Sequence, residues 1–178
     1  KLLHLTETFA VAGMNITSPA EDDIWVINTE YTLEWSSSGV GNRVWLYYSV
    51  DDGATFTRFD NPNTVDGAFA NTEGDNTATI TAPDAPSEIA RFKLQDATRP
   101  PELALSENSA QFNLAGIRID KPVTDEQWPI ADEDFIQWVA GSVGRTASFS
   151  YSIDRGNTWY EFVTQISLAA GEITWRPA

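Results

Sequence analysis

The sequence predicts an all-β chain folded as two tandem antiparallel β-sandwiches. Three observations carry that prediction. Apolar and polar residues alternate along short segments, with no sustained helical period. Turns rich in Gly, Asn, Asp and Pro separate those segments. The pattern also recurs: adding 103 to any position from Phe9 to Phe59 reaches its counterpart without a gap. Phe9 meets Phe112, Gly13 meets Gly116, Ile16 meets Ile119 and Pro19 meets Pro122. Trp25 meets Trp128, Ile27 meets Ile130, Trp35 meets Trp138 and Tyr48 meets Tyr151. Roughly a third of the aligned positions are identical, mostly aromatic, Gly and Pro sites, which marks a tandem duplication.

The elements follow in chain order. Residues Leu3–Ala12 match the segment that closes the first repeat. Residues 1–13 are therefore expected to be the last strand of a preceding repeat or an N-terminal arm. Residues 14–116 make the first sandwich. Within it EYTLEW places Tyr31, Leu33 and Trp35 on one face, and RVWLYYSV places Val44, Leu46, Tyr48 and Val50 on one face. TATITAP and RFKLQD alternate likewise, and SAQFNL ends the unit. SSSGVGN, DDGA, NPN, TEGDN and DATRPPE read as turns. Residues 117–178 make the second sandwich, which stops at EITWRPA where the first reads ATITAP. As given, it lacks the counterparts of the first unit's last two strands. That predicts a bare edge exposing Trp138 and Phe149. The polypeptide is expected to continue beyond Ala178, with strand donation by a neighbouring copy as the less favoured account.

About seven short strands per ~100 residues is the count of an immunoglobulin-like or fibronectin-like sandwich. Trp35, Trp138, Tyr48 and Tyr151 are assigned to the cores, and so are the aromatics Trp25, Trp128 and Trp159. The stretches ITSPAEDDIW, LEWSSSGVGNRVWLYYSVDDGATF and RFKLQDATRPPELALSENSAQFNL resemble the bacterial Ig/fibronectin III-like tandem repeats of large secreted or surface proteins. The resemblance covers almost the whole chain. It implies a spacer, an adhesive module or an appendage to an enzyme. The family's usual Gly before the first Trp is absent here, where the chain reads Asp22-Asp23-Ile24-Trp25.

SVDDGATF (49–56) and SIDRGNTW (152–159) share Ser-x-Asp-x-Gly-x-Thr-aromatic, which resembles the Asp-box of sialidases and other β-propeller glycosidases. Each residue type in it has a structural use. Asp51 and Asp154 suit Asx-type acceptance from turn N–H groups. Gly53 and Gly156 permit positive φ, and the terminal aromatic is expected to pack the hairpin onto its sandwich. In sialidases the resemblance implies a scaffold role as well, away from the catalytic pocket. Sialidase chemistry would also need clustered arginines, and the arginines here are scattered. The motif spacing exceeds a propeller blade of ~40–50 residues. A structural turn is the reading, and no catalytic residue is assigned.

Composition narrows the function further. The 178 residues are 42% hydrophobic and 12% aromatic, enough for packed cores, and carry a formal net charge of −15. Such acidity disfavours nucleic acid and anionic membranes. No cysteine is present, which excludes disulfides and thiol chemistry. The sole histidine, His4, has no partner pattern. No apolar run approaches the ~20 residues of a membrane span. No cofactor is assigned, with calcium as the candidate to consider at Asp66, Glu73 and Asp75 in the loop TVDGAFANTEGDNT. Trp45 and Tyr47 lie on the opposite strand face from Leu46 and Tyr48, and their counterparts are Ser148 and Ser150. That unrepeated pair is the candidate binding surface for a glycan or protein.

The expected function is a non-catalytic structural or adhesive segment of a long extracellular, cell-surface or filament protein, its partners neighbouring repeats of the same chain or other copies. The alternatives are a glycan- or protein-binding module appended to a secreted enzyme, or a virion surface or tail component.

Overall fold

The protein is described by a computed structural model that covers residues 11–129 and 132–176. The expected strand at Leu3–Ala12 falls almost wholly outside the described residues. The chain is almost entirely β. Its strands are β1 (Gly13–Ser18), β2 (Ile24–Val26), β3 (Glu30–Ser38), β4 (Arg43–Ser49), β5 (Thr57–Phe59), β6 (Phe69–Ala70) and β7 (Gly74–Thr81). There follow β8 (Ser87–Asp96), β9 (Ser106–Asn108), β10 (Phe112–Lys121), β11 (Asp134–Gly141), β12 (Thr146–Tyr151), β13 (Tyr160–Ser167) and β14 (Glu172–Trp175). A single 3-10 turn, Leu168–Ala170, interrupts this series among the described residues. No helix there is long and apolar enough to cross a membrane.

Two compact units divide the chain. The first takes the residues up to Asp23, Thr29–Thr81 and Ile89–Phe112; the second takes Ile24–Asn28, Ala82–Glu88 and the residues from Asn113 onward. In the first unit β3 pairs antiparallel with β1 and β7, while β4 pairs antiparallel with β5, β6 and β8, and β8 with β9. Alternation decides what each strand buries. Leu33 and Trp35 of β3, Val44 and Leu46 of β4, and Phe92 and Leu94 of β8 are all at most 1% exposed. The Phe92 and Phe112 rings stack with centroids 5.0 Å apart. Strand β3 runs on through Ser36–Ser38, which the sequence reads as turn. Both neighbours reach those residues, through Gly13↔Ser38 and Ser37↔Gly74, so the ladder bonds outweigh the turn propensity of three serines.

In the second unit β10 pairs antiparallel with β11, β11 with β14, and β12 with β13, while β2 pairs parallel with β10 at Asn113–Ala115. Ile27 lies so close to Gly116 that a Cβ there would meet its Cδ1 at 2.4 Å, so any larger residue would force the Ile27 side chain to shift. The core gathers Ile136, Trp138, Phe149 and Leu168, with Trp128, Phe162, Ile173 and Trp175 packed around it.

The 103-residue offset is visible in the backbone. Ile16↔Trp35 with a register shift before Ser18 has its counterpart in Ile119↔Trp138 with a shift before Lys121. Positive φ falls at Asp22 and Asp125, Gly39 and Ser142, Asp52 and Arg155, and Gly53 and Gly156. Ser18–Pro19 and Lys121–Pro122 are both cis.

Two sequence expectations are corrected here. Trp138 and Phe149 are buried, at 4% and 8% exposure, rather than bared at an edge. The 3-10 turn brings Leu168 into the core and accepts the Trp138 Nε1–H at 2.9 Å, and the Phe149 ring is covered by Phe162 and Trp138. Trp159 is not a core residue. It is 62% exposed and lies over its own turn, donating from Nε1 to the Gly156 carbonyl at 3.0 Å.

Candidate functional site

The two Ser-x-Asp-x-Gly-x-Thr hairpins are built from the same bonds. In the first, the Ser49 hydroxyl donates to the Asp51 carboxylate at 2.6 Å and accepts the Gly53 N–H at 2.8 Å. Asp51 then receives the Thr55 N–H at 2.9 Å and the Thr55 hydroxyl at 2.6 Å. In the second, Ser152 donates to Asp154 at 2.8 Å and accepts the Gly156 N–H at 2.7 Å, and Asp154 receives the Thr158 N–H at 2.8 Å. Gly53 and Gly156 adopt φ of 88° and 86°, each after a residue near 60°. A side chain at the glycine position would be strained.

Hydrogen bonding to the ionised form lowers a carboxylate pKa. The Ser49 hydroxyl first, and then the Thr55 hydroxyl and N–H, pull Asp51 from 3.8 down to about 2. The Thr158 hydroxyl and N–H, followed by the Ser152 hydroxyl, lower Asp154. A carboxylate held so strongly as an anion inside its own turn is poorly suited to general acid work near neutral pH.

The hairpins differ in what supports them. Asp52 of the first turn donates its N–H to the Ile89 carbonyl at 3.1 Å and pairs with Arg91 Nε of β8 at 2.6 Å. Arg91 also donates to the Ser109 carbonyl at 2.9 Å. The second turn carries Arg155 at the corresponding place, exposed and without an ion pair among the described residues.

The other sequence-nominated residues take the following places. Trp35 and Trp138 are buried, while Tyr48 and Tyr151 are half-buried at the rims of their cores. Tyr151 packs against Tyr160 and Trp175 with centroids 5.5 and 5.0 Å apart. Trp45 and Tyr47 are half-buried on the outer face of β4 and capped by cations. Arg58 sits 5.1 Å from the Trp45 ring, and Lys93 lies 4.7 Å from the Tyr47 ring and 4.1 Å from Phe56. Asp66 pairs with Arg43. Glu73 accepts the Gly39 N–H at 3.0 Å, and the Ser38 hydroxyl followed by that N–H lowers its pKa. Asp75 lies in β7 opposite Ser36. Among the described residues no three His, Cys, Asp or Glu side chains are grouped to hold a metal ion.

Sequence reasoning missed two buried polar hubs of the first unit. Asn71 accepts Trp35 Nε1–H at 2.8 Å and the Ser37 hydroxyl at 3.1 Å, and donates to the Gly41 carbonyl at 2.7 Å. Asp96, fully buried, accepts the Thr98 hydroxyl and N–H at 2.6 and 2.9 Å and faces Arg99 Nε at 3.2 Å. Burial pushes its pKa up, but the Thr98 hydroxyl and N–H, the Gly41 N–H and Arg99 together outweigh that and hold it low. An Asn and an Asp inside turn-like runs carry no sequence mark of burial. The only available signal was their nearness to the ends of alternating segments.

No protein-family model matches the chain, and no curated protein matches it. Among solved structures, the chain is similar to the fibronectin(III)-like modules of Clostridium thermocellum CbhA, at 12% identity and a TM-score of 0.31, over 93% of this chain and 79% of that one.

Proposed function

We propose that the chain is a non-catalytic, Ig/fibronectin III-like segment of a larger extracellular, cell-surface or filament protein, with a structural or adhesive role. One observation carries this reading. In both hairpins the motif's Ser, Asp and Thr direct their hydrogen bonds into their own turn, which leaves the motif a means of folding rather than of reacting. Arg58 and Lys93 cover the rings of Trp45 and Tyr47 on the outer face of β4, which leaves less free ring face for a glycan to stack on. A hydrolase screen on sialosides and aryl glycosides tests the reading. The expected result is no turnover above buffer, with Asp51→Ala changing only stability. Turnover that Asp51→Ala and Asp154→Ala abolish in a still-folded protein would overturn it.

A further inference from the structure

The two repeats differ in the connection that precedes β7 and β14. Phe59 and Phe162 are 103 positions apart, but Ile80 and Trp175, which pair with Tyr31 and Asp134, are 95 apart. The difference of eight residues lies between β5 and β7 of the first unit. The added loop is closed by its own bonds. The Asn61 N–H donates to the Gly67 carbonyl at 2.9 Å, and the Thr64 hydroxyl donates to the Ala68 carbonyl at 2.9 Å. Arg43 pairs with Asp66, and Arg58 with Asp60. A loop held in this way loses little freedom when a ligand arrives.

Beside the loop is a cavity of about 180 Å³. Phe59, Phe69 and Ile80 form its apolar wall, and the two phenyl rings stack with centroids 6.5 Å apart. In the second unit an indole takes the corresponding place. Trp175, the counterpart of Ile80, lies 5.0 Å from Phe162, the counterpart of Phe59. The smaller isoleucine leaves that space open in the first unit. Glu30, Asn63, Thr79 and Thr81 also line the cavity. Among the described residues their side chains have no hydrogen-bond or ion-pair partner.

An apolar wall with a few uncommitted polar groups is the usual make-up of a small-molecule site. Pockets for drug-sized ligands hold about 300–1,000 Å³, so this smaller one has room for a single ring. Its polar groups are a carboxylate, an amide and two hydroxyls, which suit a ring bearing several hydroxyls. No Lys or Arg among the described residues lines it to hold an anion, and the formal net charge of −15 opposes one.

From this we infer that the cavity binds one neutral sugar ring. Its carbon–hydrogen face lies against Phe59, and its hydroxyls meet Glu30, Asn63, Thr79 and Thr81. The inference rests on the adhesive form of the role proposed above and gives it a ligand class.

The test titrates the whole chain with the methyl glycosides of glucose, galactose, mannose and xylose, followed by amide NMR. Sialic acid and tetramethylammonium serve as charged probes. The expected result is saturable binding of at least one neutral glycoside with a Kd of about 1 mM, and shifts confined to residues 59–69 and 79–81. Ile80→Trp, which installs the second unit's own residue, should weaken binding at least about ten-fold without lowering the melting temperature. Asn63→Ala, on the exposed loop, should weaken it by about three- to ten-fold and serves alone if Ile80→Trp does not fold. No binding of any neutral glycoside, shifts elsewhere, binding that these substitutions leave undiminished, or preference for either charged probe would overturn the inference. None of these outcomes touches the non-catalytic reading, which turnover decides.

Discussion

The two Ser-x-Asp-x-Gly-x-Thr hairpins share a motif and a hydrogen-bonding plan, yet among the described residues the first is tied by an ion pair to a neighbouring strand and the second is not. The first is tied to β8 through Asp52, Ile89 and Arg91, and its terminal Phe56 is half-buried. The second ends in Trp159, which folds back over Gly156 in solvent. The turn is therefore specified by residues within it and does not need its surroundings. The surroundings decide instead how well the adjoining core is closed. The tryptophans at the centre repeat the contrast: Trp35 Nε1 bonds to the side chain of a buried Asn71, whereas Trp138 Nε1 bonds to the backbone of the 3-10 turn.

The largest expected effect separates the two cores. Phe92→Ala should destabilise the first unit by about 3–5 kcal/mol, the usual cost of an aromatic lost from a fully packed site. Phe149→Ala should fall at or below the lower end of that range, because Phe149 keeps 8% of its surface exposed where Phe92 keeps none. Denaturant unfolding of the two variants measures both, and equal costs would remove the distinction.

A smaller effect is expected at Asn71. Asn71→Ala leaves Trp35 Nε1 and Ser37 without their buried acceptor and should cost about 1–3 kcal/mol. The loss should appear in the transition of the first unit alone. An unchanged midpoint would show that the hub contributes nothing.

The turns come next. Asp51→Ala should lower the melting temperature by about 4–8 °C, a typical consequence of losing one well-bonded feature in a domain of this size. Asp154→Ala should lower it less, since among the described residues its turn has no ion pair like that of Asp52 with Arg91. Because the folded-state pKa of Asp51 is depressed from 3.8 to about 2, its contribution is fully present above about pH 5. It is lost progressively as the pH falls from about 5 to about 1, so the difference between wild type and Asp51→Ala should shrink steadily across that window. A difference that stays undiminished from about pH 5 down to about pH 2 would contradict the assignment.

The smallest effect is expected from calcium. Asp66 is neutralised by Arg43 and Glu73 is bonded to backbone. Millimolar calcium should therefore shift melting by less than about 2 °C. A shift of about 10 °C would establish a tight site that stabilises the native state.

Much of this architecture is legible in the sequence because period-2 alternation reports one physical fact, which face of a strand meets the core. Leu33 and Trp35, and Val44 and Leu46, are placed that way, whereas Val50 at the end of the same alternation is 41% exposed. The turn chemistry was legible too, since Ser, Asp, Gly and Thr act over four residues. What stayed hidden depends on distant partners. The three residues of β2 make a strand only by pairing with Asn113–Ala115. Asn71 and Asp96 look like solvated turn residues until Trp35, Gly41 and Thr98 surround them. Trp159 occupies an aligned aromatic position, but alignment carries no information about whether a surface waits beneath it. The cover over Trp138 came from a 3-10 turn without any periodic signature.

The Asp51 carboxylate is committed to its own turn by Ser49 and Thr55. Carboxyl-carbon NMR of Asp51 through an acid titration tests this most directly. The account predicts a midpoint at about 2, well below the ordinary 3.8, and an upward return toward the ordinary value when Ser49 or Thr55 is replaced by Ala. A midpoint at or above 3.8 in the native protein would contradict it.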